Sequence, residues 1–245
     1  MRKFHKNTQA PAVLRENGPA KTQELIDAVA GGNDCPKIDA LYRHPDVKAQ
    51  LKTDQNGKCA YCERKFNGDY GAVEHYRPKG GWQQEHCDAL KKPGYYWLAY
   101  EWENLLFSCD ECNTSCKKNL FPLANPDSRD IGNRDISSED PLLVNPATED
   151  PGAYIAFHKE MAVPRMVDGM PSAKGMRTID VLGLNNRLVL KQARREVFFE
   201  VKALKKLRTI LMITNNIQAL LLVDNIIRMH TSEYAEFTGM FQNQV

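Results

Sequence analysis

The sequence predicts an α+β chain, mostly α, and three observations carry that expectation. Leu190, Ala193, Val197, Val201, Leu204, Leu207 and Leu211 recur in steps of three and four, which sets them on one helix face. Residues 58–121 lack that period and are rich in Cys, Gly, Asn and aromatic residues, with short pieces at 72–76 and 105–108 that read as strands. The chain has 245 residues, 42% hydrophobic and 26% charged, which is the balance of one or two ordinary globular domains. That balance excludes a wholly disordered, collagen-like or small disulfide-scaffold protein.

The elements follow in order. Residues 1–18 read as an extended or loosely ordered arm. Residues 20–30 read as a helix stopped by Gly31 and Gly32. Residues 37–51 read as one or two short helices, with Pro45 near the start of the second, where a missing N–H costs nothing. Asn56-Gly57 is a turn into the first cysteine pair. A short helix is expected from near Asp110 to about Lys118, and an insertion at 78–94 separates it and the second strand from the first. Three prolines and Ile131-Gly132-Asn133 make 121–141 a loop, and 142–144 and 153–157 are strand candidates. Asn215 and Asn216 kink or end the long helix, and another runs from about Ile217 to Met229.

Charge and hydropathy narrow the function classes. Thirty-three basic against thirty-one acidic side chains leave +2, so any site for a polyanion must be local. Lys191, Arg194, Arg195, Lys202, Lys205, Lys206 and Arg208 fall mostly off the apolar stripe. This basic face reads as a solvated surface, a nucleic-acid contact or a docking surface. The most apolar stretch, 210–227, is interrupted by Asn215, Asn216, Gln218, Asp224 and Asn225, so helix core is expected there and not a bilayer span. No apolar run follows the charged start before Pro11, so no signal peptide is expected and the expected location is cytoplasmic.

Seven cysteines stand at 35, 59, 62, 87, 109, 112 and 116. An odd number argues against a disulfide framework. Cys59-x-x-Cys62 and Cys109-x-x-Cys112 each offer two thiolates at the separation of two corners of a tetrahedron, and together they complete a structural Zn²⁺ shell. A redox pair or ordinary buried cysteines are the alternatives, and two pairs flanking one polar segment favour zinc. Cys116 is a possible substitute ligand, one helical turn beyond Cys112; Cys35 and Cys87 read as plain thiols.

Between the pairs lies Glu74-His75-Tyr76-Arg77-Pro78-Lys79, and Asn104 precedes the second apolar run, while Asn113 follows Cys112 at once. A cysteine pair, an acid–His pair, an Asn before a strand and a second cysteine pair followed by a polar ligand type occur here in one order. With these features the stretch from Cys59 to about Lys118 resembles the HNH (ββα-metal) nucleases. The resemblance implies His75 as general base, Glu74 and Asn113 as ligands of a catalytic Mg²⁺ or Mn²⁺, and Asn104 as the residue that orders the loop and holds the base. Many members carry Asp and His where this chain has Glu74 and Asn113, and two oxygen donors suit a hard cation. It implies 5′-phosphate and 3′-hydroxyl products. Arg77, Lys79 and Lys117 are candidates to hold phosphates. Neighbours on an ideal strand face opposite ways, so Glu74 and His75 share a site only at a strand end or an irregularity.

A narrower likeness rests on residues 58–63, 74–79, 95–102, 121–123, 142–146 and 179–185. These are similar to the nuclease subunits of Septu-type anti-phage systems (the PtuB branch), which also accompany some retrons. That implies a phage-defence role, with DNA as the first substrate to consider, and an ABC/SMC-like ATPase partner of the PtuA kind. The expected organisation is an N-terminal arm with helices at 1–54, an HNH ββα-metal module with zinc knuckles at 55–125, and a loop plus C-terminal helical region at 126–245. The rival readings are a non-catalytic zinc-stabilised subunit that binds nucleic acid or a partner, a stand-alone restriction-type HNH nuclease, and an RNA (tRNA) nuclease. Tyr95, Tyr96, Trp97, Tyr100 and Trp102 read as packing for the insertion, with base stacking as the alternative. His5, His44, His86, His158 and His230 show no partner pattern.

Overall fold

The computed structural model describes residues 1–66 and 70–242. Residues 1–11 are extended but pinned. Phe4 N–H donates to the Pro146 carbonyl at 3.1 Å, and the Trp102 indole N–H donates to the Asn7 carbonyl at 2.6 Å. The buried Lys6 ammonium donates to the carbonyls of Trp102 and Leu105. Helix α1 spans Ala12–Ala30 and begins directly after Pro11. It starts well before the expected position 20, running through Gly18 and Pro19. Pro19 forfeits a hydrogen bond and Gly18 costs entropy. Burial of Leu14, Gly18 and Leu25 offsets that loss, so packing overrides local propensity.

A 3₁₀ turn, Ala40–Arg43, and helix α2, Pro45–Asp54, follow as the sequence suggests. Asp39 caps the turn by accepting from Leu41 N–H at 2.8 Å, and Pro45 occupies the first turn of α2. Strands β1, Ala72–His75, and β2, Leu105–Ser108, pair antiparallel with His75 opposite Leu105 and Ala72 opposite Ser108. Every residue of β2 is buried and α2 packs on it, which accounts for its unbroken apolar run. Gly71 enters β1 at φ +113°, and a Cβ there would lie 2.7 Å from the Phe66 ring and 2.8 Å from the Phe107 ring. No other residue fits that corner.

After β2 the chain forms a π-helix, Glu111–Lys117, where a short helix is expected. Its wider turn closes with Lys118 N–H on the Asn113 carbonyl at 2.7 Å. Further on, β3, Ile155–His158, pairs with β4, Met161–Pro164, and the two-residue strands Met166–Val167 (β5) and Met170–Pro171 (β6) pair with each other. The strand expected at 142–144 is instead a buried loop. Val144 N–H donates to Thr178 Oγ1 at 3.0 Å, on a helix, α3 (Ala173–Val181), that the sequence pattern does not announce.

Helices α4, Leu188–Ile213, and α5, Ile217–Thr231, pack on each other around a turn where Asn215 adopts φ +56°. Leu190 and Val201 of the stripe are buried, while Leu207 is exposed, so the hairpin runs off the core toward its tip. One hydrophobic cluster contains Leu14, Leu51, Tyr61, Phe107, Leu143 and Leu190. Among the described residues no helix is long and apolar enough to cross a membrane.

Candidate metal centre and basic cleft

The first cysteine pair sits in a tight turn. Cys59 N–H donates to the Arg64 carbonyl at 2.9 Å, and Glu63 N–H returns to the Cys59 carbonyl at 3.0 Å. Glu63 takes φ +63°, a left-handed position that ends the turn. The second pair stands at the entrance of the π-helix. One ligand atom from each of Cys59, Cys62, Cys109 and Cys112 lies within 4.8 Å of the others, and all four residues are buried. Cys62 Sγ and Cys109 Sγ are 3.7 Å apart, and Cys109 N–H donates to Cys59 Sγ at 3.4 Å.

A disulfide would bring sulfurs to about 2 Å. Tetrahedral Zn–S bonds of about 2.3 Å place sulfurs about 3.8 Å apart, so the thiols fit a four-sulfur metal shell. Burial pushes the Cys59 thiol well above its usual range, while hydrogen bonds from the neighbouring cysteines hold Cys62 well below it; four buried thiolates at this spacing would repel one another without a cation between them. Cys116 is not in the cluster. Arg187, just ahead of α4, places Nη1 3.3 Å from Cys112 Sγ and 3.6 Å from Glu111. Nothing in the spacing of the sequence points to this arginine.

Close by, a cleft of about 1160 Å³ opens between β1, the π-helix and residues 29–48. Glu74, His75, Lys79 and Asn113 all line it. His75 is the last residue of β1, and there the strict alternation of a strand ends, so both neighbours reach one cleft. His75 Nε2–H donates to the Ala99 carbonyl at 2.9 Å, which leaves the Nδ1 lone pair toward Lys79 Nζ, 3.3 Å away. Tyr42 packs edge-on against the imidazole, ring centroids 4.6 Å apart. Burial first, and then the Lys79 charge, hold the imidazole pKa well below its ordinary value, so it is neutral near pH 7.

Asn104 sits just before β2 and is buried. Its Oδ1 accepts from Arg77 N–H at 2.8 Å, and its Nδ2 donates to the carbonyls of Arg77 and Leu98, each at 3.0 Å. Its own carbonyl accepts from Tyr76 N–H at 2.9 Å. All of these bonds go to main chain, so Asn104 clamps the segment that follows His75.

Two expected phosphate contacts have other employment. Lys117 is fully buried: its ammonium lies 2.6 Å from Glu74 Oε1 and donates to the His75 carbonyl at 3.0 Å. Arg77 Nε donates to Glu139 Oε2 at 3.0 Å, and its guanidinium lies 5.2 Å from the Phe121 ring and 5.8 Å from the Tyr95 ring. Both cations are neutralised inside the fold. Lys79 faces the cleft. So do Lys37, Arg43, Lys48, Lys92 and Lys118, which no motif singles out.

Burial raises the Glu74 carboxyl above the ordinary range despite the opposing pull of Lys117. Its Oε1 lies in ion-pair range of Lys117, yet no hydrogen bond of acceptable geometry satisfies it. Glu74 and Asn113 both line the cleft and offer oxygen donors, the type a hard cation takes, and a cation held there would share Glu74 with Lys117.

The five aromatics at 95–102 are buried, which is packing and not a stacking surface. Arg194 leaves the basic helix face: it is buried and donates to the Leu184 carbonyl at 2.8 Å.

Fold and site together define an α+β protein with a buried four-cysteine cluster, whose buried imidazole and carboxylate open on a basic cleft. No family model matches the chain. The chain is homologous to Septu protein PtuB of Bacillus mycoides (strain KBAB4), 40% identical over 168 residues, 68% of this chain and 55% of that protein. Septu protein PtuB of Bacillus thuringiensis is 28% identical over 188 residues, 75% of this chain and 56% of that one. Septu protein PtuA of Bacillus mycoides is 31% identical over 151 residues, 61% of this chain and 20% of that protein. The chain therefore spans just over half the length of the PtuB relatives and a fifth of PtuA.

Proposed function

We propose that this chain is the nuclease component of a Septu-type anti-phage system and hydrolyses nucleic-acid phosphodiester bonds, with DNA as the first substrate to test. One observation carries the chemistry. A neutral, tautomer-fixed imidazole, a buried carboxylate and an amide line the same basic cleft. This arrangement agrees with an HNH ββα-metal module, since β1, β2 and the π-helix follow one another in space and sequence. Similarity to Septu proteins PtuB and PtuA supports a place in a Septu system; an ABC/SMC-like ATPase as partner is what the resemblance of the sequence implies.

In this reading His75 Nδ1 takes a proton from water. The hydroxide oxygen attacks phosphorus in line, the P–O3′ bond breaks, and a solvent proton goes to the leaving 3′ oxygen. Lys79, beside Nδ1, meets a phosphate oxygen. Asn104 keeps the His75–Pro78 backbone in place. Mg²⁺ or Mn²⁺, held by Glu74 and Asn113, would supply charge stabilisation at the phosphorus and the leaving oxygen. Zn²⁺ on the four cysteines has a closed shell and is structural.

Plasmid cleavage with Mg²⁺ or Mn²⁺, alone and with the ATPase subunit, tests the proposal. Wild-type protein cuts; His75→Ala stays folded and zinc-loaded but does not cut. Retained cutting in that variant rejects the base assignment. A wild-type protein that binds nucleic acid but never cuts it supports the non-catalytic subunit instead, and cutting confined to tRNA moves the substrate to RNA.

A further inference from the structure

Residues 29–48 form the wall of the cleft that faces β1 and the π-helix. From this wall come Lys37, Arg43 and Lys48, and from the opposite side Lys79, Lys92 and Lys118. Against six cations the lining offers two carboxylates, Asp34 and Glu74, and Lys117 already neutralises Glu74. Among the described residues, none of the six makes an ion pair. That separates them from Lys117 and Arg77, whose charges are consumed inside the fold, and from Arg208 on α4, which pairs with Asp224 at 2.6 Å.

Like charges around one concavity repel each other, and low-dielectric walls focus their field into it. A single small anion relieves this at one point only. A chain of phosphates relieves it along both walls. The lining also says what is not read. Its one aromatic residue, Tyr42, is only 4% exposed and lies edge-on against His75, with Lys79 Nζ 4.5 Å and the Arg43 guanidinium 5.2 Å from its ring centroid. No ring is free to stack on a base. Contacts of this kind hold the backbone and carry little sequence information.

We propose that the N-terminal wall is a phosphate track in which Arg43 and Lys48 hold the backbone of a polynucleotide strand against His75, without base selection. The wall would then be part of the substrate site and not merely a support for the metal-stapled region. This rests on the reading of the cleft as a nuclease site, and the test separates the two.

The 245-residue chain, zinc-loaded and carrying His75→Ala, serves as the parent, so that binding is measured without cutting. Its affinity for short fluorescent oligonucleotides is followed by anisotropy across a salt series, with single-stranded DNA, duplex DNA and single-stranded RNA as separate arms. Adding Arg43→Ala and Lys48→Ala should weaken binding at least about tenfold at low salt and flatten the salt slope by about 0.7 for each lost single-strand contact. Lys205→Ala with Lys206→Ala, on the α4 face, should leave binding unchanged. Losses of equal size on homopolymer and mixed sequences support backbone holding; a loss confined to one sequence overturns it.

Arg43→Lys with Lys48→Arg should restore most of the affinity, since charge and not shape is required. Parental affinity and slope in the double-alanine protein overturn the track. Cleavage by the same two substitutions in a chain with intact His75 then decides the wider reading. Undiminished cutting leaves the nuclease standing and removes the wall from the site; no binding and no cutting by any form removes both.

Discussion

Replacing Asn104 by alanine removes three hydrogen bonds of a buried side chain at once: from Arg77 N–H at 2.8 Å, and to the carbonyls of Arg77 and Leu98, each at 3.0 Å. A net contribution of about 1 kcal/mol per bond gives about 3 kcal/mol, and the orphaned Arg77 N–H adds about 1 kcal/mol or more if water does not reach it. Asn104→Asp should be worse near neutral pH. The acceptor for Arg77 N–H survives, but a buried carboxylate then confronts two carbonyl oxygens. The introduced carboxyl has a raised pKa when folded, so the folded state binds the extra proton. Its destabilisation therefore grows as pH rises above the ordinary carboxyl range and is relieved toward pH 4. Urea unfolding of zinc-loaded protein at pH 5 and pH 8 checks both statements. Asn104→Ala should lower the unfolding free energy by about the same amount at both pH values. A loss below about 1 kcal/mol, or an aspartate variant no less stable at pH 8 than at pH 5, refutes the clamp.

Three further outcomes follow from the same geometry. Lys117→Met leaves Glu74 buried and uncompensated, so it should destabilise by about 3 kcal/mol or more, and adding Glu74→Leu should recover part of the loss; equal unfolding midpoints for Lys117→Met and wild type contradict this. Arg187→Met removes the donor to Cys112 Sγ and should weaken zinc binding about 10–100-fold in chelator competition, with the fold otherwise kept. Metal analysis should find one zinc per chain, and Cys59→Ser or Cys109→Ser should lose both the metal and soluble folding, because binding free energy is folding free energy at such a site.

Similarity to Septu proteins covers about two thirds of this chain but little more than half of the PtuB relatives. The four-cysteine cluster and the cleft both lie within the described part of this chain, so the chemistry proposed for them can be tested on it directly.

Features set by neighbours along the chain were legible. Each Cys-x-x-Cys turn fixes its own two thiolates, and the steps of three and four from Leu190 onward predict α4. The short strand pieces read at 72–76 and 105–108 mark β1 and β2 within a residue. Glu74, His75, Asn104 and Asn113 were singled out by the resemblance of their order, relative to the cysteines, to the HNH pattern, and Glu74, His75 and Asn113 line one cleft. Other elements were not legible. α1 runs through Gly18 and Pro19 because buried contacts outweigh their local cost, and the loop at 142–144 finds its hydrogen bond on a helix that lies later in the chain.

The use of charge was decided by the tertiary structure alone. Lys117 and Lys118 are adjacent, yet the first is sealed against Glu74 and the second lines the cleft. Arg77 and Lys79 divide in the same way, one paired with Glu139 and the other beside His75. A cation binds a ligand only if its own fold leaves it unneutralised, and the residue that neutralises it stands 43 positions away for Lys117 and 62 for Arg77. Local sequence therefore determines which groups can carry the chemistry. Long-range packing determines which of them remain available for it.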